Sequence, residues 1–182
     1  MATLPKVLTL EEWLNMPVTH DGKEEVVNGK ILRMPPASFP HAEIIEEIIA
    51  QLIGQIDRKK VRILGSIFGV LIRRDPLTCR CPDLGLFWKE RDIVQNGIHC
   101  VPPDLVIEVL SPSENRQRKE AKIADYASIA APEVWLVSPE AGTIEVRVLK
   151  QGAFQRVGIF AEGTLEPTKF PGVKLDINSI WP

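Results

Sequence analysis

Apolar positions recur at helical spacing most clearly over Phe39–Arg58, where Ile44, Ile45, Ile48, Ile49, Leu52, Ile53 and Ile56 form one stripe. Glu43, Glu46, Glu47 and Gln51 fill the other side, so the spacing predicts an amphipathic helix. Ser38 is placed to cap it, and Pro40 suits its first turn. A second helix is predicted over Glu114–Ile129, with Ser113 as cap. It stops before Pro132, since a residue preceding proline avoids the α region. A short helix over Leu8–Asn15, capped by Thr9, opens the pattern.

Elsewhere the apolar runs are short and read as strands. Glu24–Leu32 predicts a hairpin, because Asn28-Gly29 stands between two apolar runs and both residues tolerate positive φ. Four β segments are expected at Val61–Arg73, Leu84–Lys89, Leu105–Leu110 and Val134–Ser138. A second hairpin joins Thr143–Leu149 to Phe154–Phe160 through Gly152, and the tail from Pro167 to Pro182 reads as irregular with a short final strand or turn. Helices interleaved with strands indicate a mixed α/β or α+β architecture. With 182 residues and no linker or repeat, one domain over residues 1–182 is expected.

Composition changes this picture little. Hydrophobic residues make up 45% and charged residues 25%, ordinary for a globular chain. No stretch is long and apolar enough to span a membrane and the first residues carry no apolar leader core, so a cytoplasmic location is expected. Cys79, Cys81 and Cys100 are an odd count without paired C-x-x-C spacing. Reduced cysteines are expected, Cys79 and Cys81 both facing inward from a strand. A net charge of −2 gives no overall basic footprint, but positive charge is dense at Arg58–Arg62, Arg73-Arg74 and Arg116–Lys122.

The candidate chemistry lies in two carboxylates. Glu108 interrupts the otherwise apolar run Leu105–Leu110, and a lone carboxylate inside a buried strand costs several kcal/mol unless paired, protonated or metal-bound. Glu108 is therefore a functional group, the partner of a nearby arginine, or a residue at a strand end that surfaces. Asp83 follows Pro82 and opens the next apolar strand, where a plain turn role is the alternative. Carboxylates entering one sheet from adjacent strands can share a hard divalent cation, with water completing its shell.

The elements Arg80-Cys81-Pro82-Asp83, Pro102–Ser113, Lys122–Tyr126 and Glu133–Val137 follow one another in an order and spacing that is specific together. With Glu25–Gly29, His41 and Phe170-Pro171-Gly172, the chain resembles the Uma-type putative restriction endonucleases of the PD-(D/E)XK nuclease superfamily. The resemblance implies a restriction-endonuclease-like core, a mixed central sheet flanked by two main helices with extra hairpins. It implies that Asp83 and Glu108 are the metal carboxylates for Mg²⁺ or Mn²⁺, with the Val109 carbonyl as a further ligand. The superfamily's lysine usually stands two residues after the glutamate, where this chain has Leu110; the resemblance transfers that role to Lys122 on the following helix. His41 takes a site role or caps its helix, and Glu25 is a third site carboxylate or a strand residue paired with a base. Tyr126, one turn after Lys122, can touch it. Where relatives carry glycine before the fourth strand, this chain has Ala130 or Ala131.

The resulting expectation is a metal-dependent endonuclease acting on DNA as a homodimer. Its rival is a catalytically inactive member of the fold that binds nucleic acid or protein.

Overall fold

Asn-Gly turns, a capping box and one long amphipathic stripe set the local structure of the computed structural model, which describes residues 7–17, 23–65, 68–111 and 115–182. Helix α1 (Leu10–Leu14) begins where the Thr9 hydroxyl accepts from the Glu12 amide while the Glu12 carboxylate accepts from the Thr9 amide. That reciprocal box satisfies two donors a helix start otherwise leaves open. Strands β1 (Lys23–Val27) and β2 (Lys30–Met34) form the expected hairpin, Asn28 and Gly29 turning it at φ 51° and 71°.

Helix α2 (Phe39–Ile53) buries Ile44, Ile45, Ile48 and Leu52. It ends at Gly54 rather than at Arg58, because glycine is a poor helix former and Gln55 offers the last turn other partners. The Gln55 side-chain amide donates to the carbonyls of Gln51 and Lys174, while its backbone N–H closes a tighter bond to Leu52. Ser38 occupies the N-cap, but its side chain makes no capping hydrogen bond.

The single strand expected over Val61–Arg73 is two strands in different sheets, β3 (Val61–Gly65) and β4 (Gly69–Arg74). Gly65 closes β3 and Gly69 opens β4, and Phe68 packs its ring over Gly85, where an added Cβ would stand 2.6 Å from the ring. Next come β5 (Leu77–Arg80), β6 (Leu84–Trp88), β7 (Val94–Gln95), β8 (Ile98–His99) and β9 (Leu105–Val109). The β7–β8 hairpin turns on a second Asn-Gly, Asn96-Gly97, with φ of 50° and 80°.

Helix α3 covers Arg116–Ser128. Its expected first residue and cap, Glu114 and Ser113, lie outside the described residues; the observed cap is Asn115, whose side chain accepts from the Arg118 amide. The remaining strands are β10 (Glu133–Ser138), β11 (Thr143–Lys150), β12 (Ala153–Phe160), β13 (Thr164–Leu165) and β14 (Leu175–Asp176), followed by a 3-10 turn over Ile177–Ser179.

One sheet runs β2-β1-β5-β4-β8-β7 and the other β12-β11-β10-β9-β6-β3, with β13-β14 a separate pair. Within the second sheet β9 and β10 are parallel, while β6 runs antiparallel to β9. Its odd β9 positions Leu105, Ile107 and Val109 pack with the α2 stripe, and the even position Val106 packs with Ile123 and Tyr126 of α3. Phe68 and Val70 of the first-sheet side meet Phe87 of β6. The second sheet is thus covered by α2 on one face and by α3 with the first sheet on the other. Among the described residues no helix is long and apolar enough to cross a membrane. The three cysteines are free; Cys79 and Cys81 are buried, and burial pushes the Cys81 thiol up to about 12.

Candidate active site

Pleating decides which carboxylates meet. Leu84 pairs with Ile107 across the β6–β9 ladder, so the register carried one residue further sets Asp83 opposite Glu108. Both then point to the face shared by α3 and the first sheet, since alternate residues face opposite ways. Both are buried, at 6% and 4% exposure.

Each carboxylate is held in the same manner. One oxygen is fixed by a neutral donor and the other by an ammonium. Asp83 Oδ2 accepts from the Val109 amide at 2.9 Å, and Oδ1 meets Lys23 Nζ at 2.7 Å and His41 Nε2 at 3.5 Å. Glu108 Oε1 accepts from the Tyr126 hydroxyl at 2.5 Å, and Oε2 meets Lys122 Nζ at 3.0 Å. Lys122 and Tyr126 stand four apart on α3, which puts both above the same strand.

Their titration is driven apart. Burial alone would push Asp83 up, but the hydrogen bond from His41 and the Lys23 ammonium more than reverse it, leaving it well below the usual carboxylate range. Burial raises Glu108, and the neighbouring Asp83 adds to this while Lys122 opposes it. Burial, then Glu108, holds the Tyr126 phenol well above its ordinary value, so it stays a neutral donor.

Around this pair lies an ion network. Glu25, fully buried on β1, accepts from Arg80 Nη1 at 2.7 Å and from the Cys81 amide at 3.1 Å. The same Arg80 reaches Asp125 of α3 at 2.7 Å, tying the first sheet to the helix. Glu25 is therefore paired with a base, one of its two expected roles, and faces the site behind Arg80. His41 sits at the start of α2 with its ring nitrogen towards Asp83. Val109 reaches Asp83 through its amide, a contact not anticipated from the sequence. Lys122 lies on α3 with its ammonium on Glu108.

Three charged groups escaped the sequence reading: Lys23, Arg80 as a bridge, and Asp125. Lys23 shares a strand face with Glu25, two residues on, and that i, i+2 pairing of opposite charges was the available signal. Among the described residues, no group of three or more His, Cys, Asp or Glu side chains is arranged to hold a metal ion. Magnesium commonly takes only one or two carboxylates with water and phosphate oxygens. Asp83 Oδ1 and Glu108 Oε2 each meet a lysine ammonium, a positive charge standing where a cation would, so the residues present fit such an ion.

A family model described as "Putative restriction endonuclease", Uma2, matches residues 10–178. The chain belongs to the Uma2 family. Every residue of the Asp83–Glu108 cluster falls inside the Uma2 match. Among solved structures, the chain is similar to a putative nuclease belonging to DUF820 from Anabaena variabilis ATCC 29413. The two share 21% identity at a TM-score of 0.76, over 95% of this chain and 97% of that one. This Uma2 chain therefore has the mixed α+β, restriction-endonuclease-like fold expected from its sequence. No curated protein matches the sequence significantly.

Proposed function

We propose that the chain is a metal-dependent endonuclease that hydrolyses phosphodiester bonds of DNA, using Mg²⁺ or Mn²⁺ held by Asp83 and Glu108. The observation carrying this reading is the buried carboxylate pair with a lysine from a separate element on one oxygen of each. Membership of the Uma2 family and the nuclease named among similar structures support it.

A bound divalent cation supplies Lewis-acid stabilisation of the phosphate and acidifies a water. The chain supplies the rest. The Val109 amide and the Tyr126 hydroxyl fix the carboxylate orientations, with the Val109 carbonyl a further candidate ligand. The Lys122 ammonium offers positive charge to the phosphate as negative charge builds on its oxygens, in a site whose burial strengthens the interaction. His41 positions Asp83, and Glu25 positions Arg80. Arg116, Arg118 and Lys119, on the turns of α3 leading to Lys122, give backbone phosphates a basic path despite the net charge of −2. Cutting both strands of a duplex needs two sites or successive nicks, so we extend the reading to a homodimer.

A second reading rests on the same two ion pairs. Lys23 and Lys122 already neutralise Asp83 and Glu108, which suits an inactive member of the fold that binds nucleic acid or protein.

Plasmid nicking separates them. Wild type should nick DNA with Mg²⁺ or Mn²⁺, and EDTA should stop it. Asp83→Ala or Glu108→Ala should abolish metal binding and nicking together. Lys122→Ala should keep metal binding and slow nicking by about 10²–10³-fold, the scale for losing one contact to transition-state charge. Wild type that binds metal yet leaves every DNA and RNA intact decides for the inactive reading. Light scattering that gives a monomer mass at high concentration refutes the dimer.

A further inference from the structure

Lys23 lies on β1 of the first sheet, whereas Asp83 immediately precedes β6 of the second, and the pair crosses between them at 2.7 Å. The Lys23 side chain is only 17% exposed, and its ammonium feels Asp83, Glu108 and Lys122 together. It is a member of the cluster, not a surface charge that happens to lie near it.

The two oxygens of Asp83 are not equivalent. Oδ2 is engaged by the Val109 amide, a backbone group the sheet holds in place. Oδ1 carries Lys23 and His41, both on side chains able to move. Glu108 repeats the pattern, with Tyr126 on one oxygen and Lys122 on the other. Two ammonium groups therefore stand on one oxygen of each carboxylate, with the combined charge of one divalent cation. A cation and an ammonium cannot both sit on Oδ1 at contact distance without strong mutual repulsion.

We propose that Lys23 is a displaceable counter-cation: its ammonium competes with the divalent metal for Asp83 Oδ1, and so sets the affinity with which the metal enters. The inference rests on the metal-dependent reading above. It makes Lys23 a positioning residue that acts through Asp83. Its long unbranched stem suits release, because the ammonium leaves by rotating about side-chain bonds with no change in the strand. The metal-free protein thereby avoids a buried, uncompensated carboxylate pair.

Mn²⁺ alone is the probe, titrated by calorimetry into wild type and Lys23→Gln, with folding checked by circular dichroism. Glutamine keeps a donor for Oδ1 and removes the competing charge. Lys23→Gln should bind Mn²⁺ roughly tenfold or more tightly than wild type. A folded variant with unchanged or weaker affinity overturns the proposal while leaving the metal site standing. Amine-reactive footprinting of wild type gives a readout that needs no substitution. Saturating Mn²⁺ should raise labelling of Lys23 as its ammonium is expelled from Oδ1, and labelling that does not move overturns the proposal. If wild type and Lys23→Gln both fail to bind Mn²⁺, the metal reading falls and this inference falls with it.

Discussion

Glu108 is costly to bury, and the cost is what made it visible: a carboxylate inside Leu-Val-Ile-Glu-Val-Leu demands partners. The Tyr126 hydroxyl is one of them. Tyr126→Phe removes a donor and leaves a buried carboxylate oxygen short of a bond, so it should lower stability by about 1–3 kcal/mol in urea titrations. Asp83 answers to pH instead. Its folded pKa lies below the unfolded value, so its contribution is present above about pH 4 and is lost as pH falls through the folded pKa. Asp83→Asn should therefore flatten the acid limb of a stability–pH curve; an unchanged slope below pH ~4 would contradict the assignment. Glu108 works with the opposite sign, its raised pKa giving a contribution that is full below the unfolded value and lost as pH rises through the folded one. Asp83, Glu108 and Lys122 were legible because a carboxylate in an apolar strand is anomalous and their spacing matches a family pattern. Lys23 was not. At the head of a hairpin it reads as a solvated cation, and only the stacking of one sheet on the other gives it a partner.

Helix α3 ends by a device that the sequence hides. The Ala131 amide donates to the Tyr126 carbonyl and the Ala130 amide to that of Ala127, with Ala130 at φ 58°. These are the two bonds of a Schellman cap, whose left-handed position glycine ordinarily fills. Alanine there carries a Cβ penalty, so Ala130→Gly should raise stability by about 0.5–1 kcal/mol, measured by thermal or urea unfolding. Because the cap fixes the turn holding Tyr126, a loss of stability would show that the Ala130 methyl packs usefully. The Asn28-Gly29 hairpin was readable since Val26-Val27 and Ile31-Leu32 flank its turn inside strands of five residues each, while Asn96-Gly97 carries the same signal between strands of two residues each. The break between β3 and β4 was marked in the sequence only by Gly65 and Gly69, since glycine weakens a strand. Val61–Arg73 is apolar enough for one strand, and only the presence of two separate sheets forces the division.

At the scale of the whole molecule, the C-terminal tail is a wall of the core. Leu165, Phe170, Val173, Leu175, Ile177 and Ile180 are buried with the α2 stripe, and Phe170 stacks on Trp88 at 5.3 Å. Gln51 and Gln55 act as extra strand partners, each exchanging two hydrogen bonds with the tail backbone at Asp176 and Lys174. Fully burying one such apolar side chain contributes about 1.5–3 kcal/mol, and a whole domain is stable by only about 5–15 kcal/mol. Deleting residues 163–182 should therefore abolish cooperative unfolding, which calorimetry would show as a missing transition. The tail's sequence shows only part of this role, because Val173, Leu175 and Ile177 alternate at strand spacing while Leu165, Phe170 and Ile180 fall outside that alternation. The site depends on completion in a similar way. Lys23 meets a carboxylate 60 residues later and Glu25 an arginine 55 residues later, while Arg80 waits for Asp125, 45 residues on. Contacts so distant along the chain must close long loops, so a half-folded chain in which they are unmade carries the parts of the centre but not the centre. The cluster therefore exists only once both sheets have closed over it, and its assembly reports the completion of the fold.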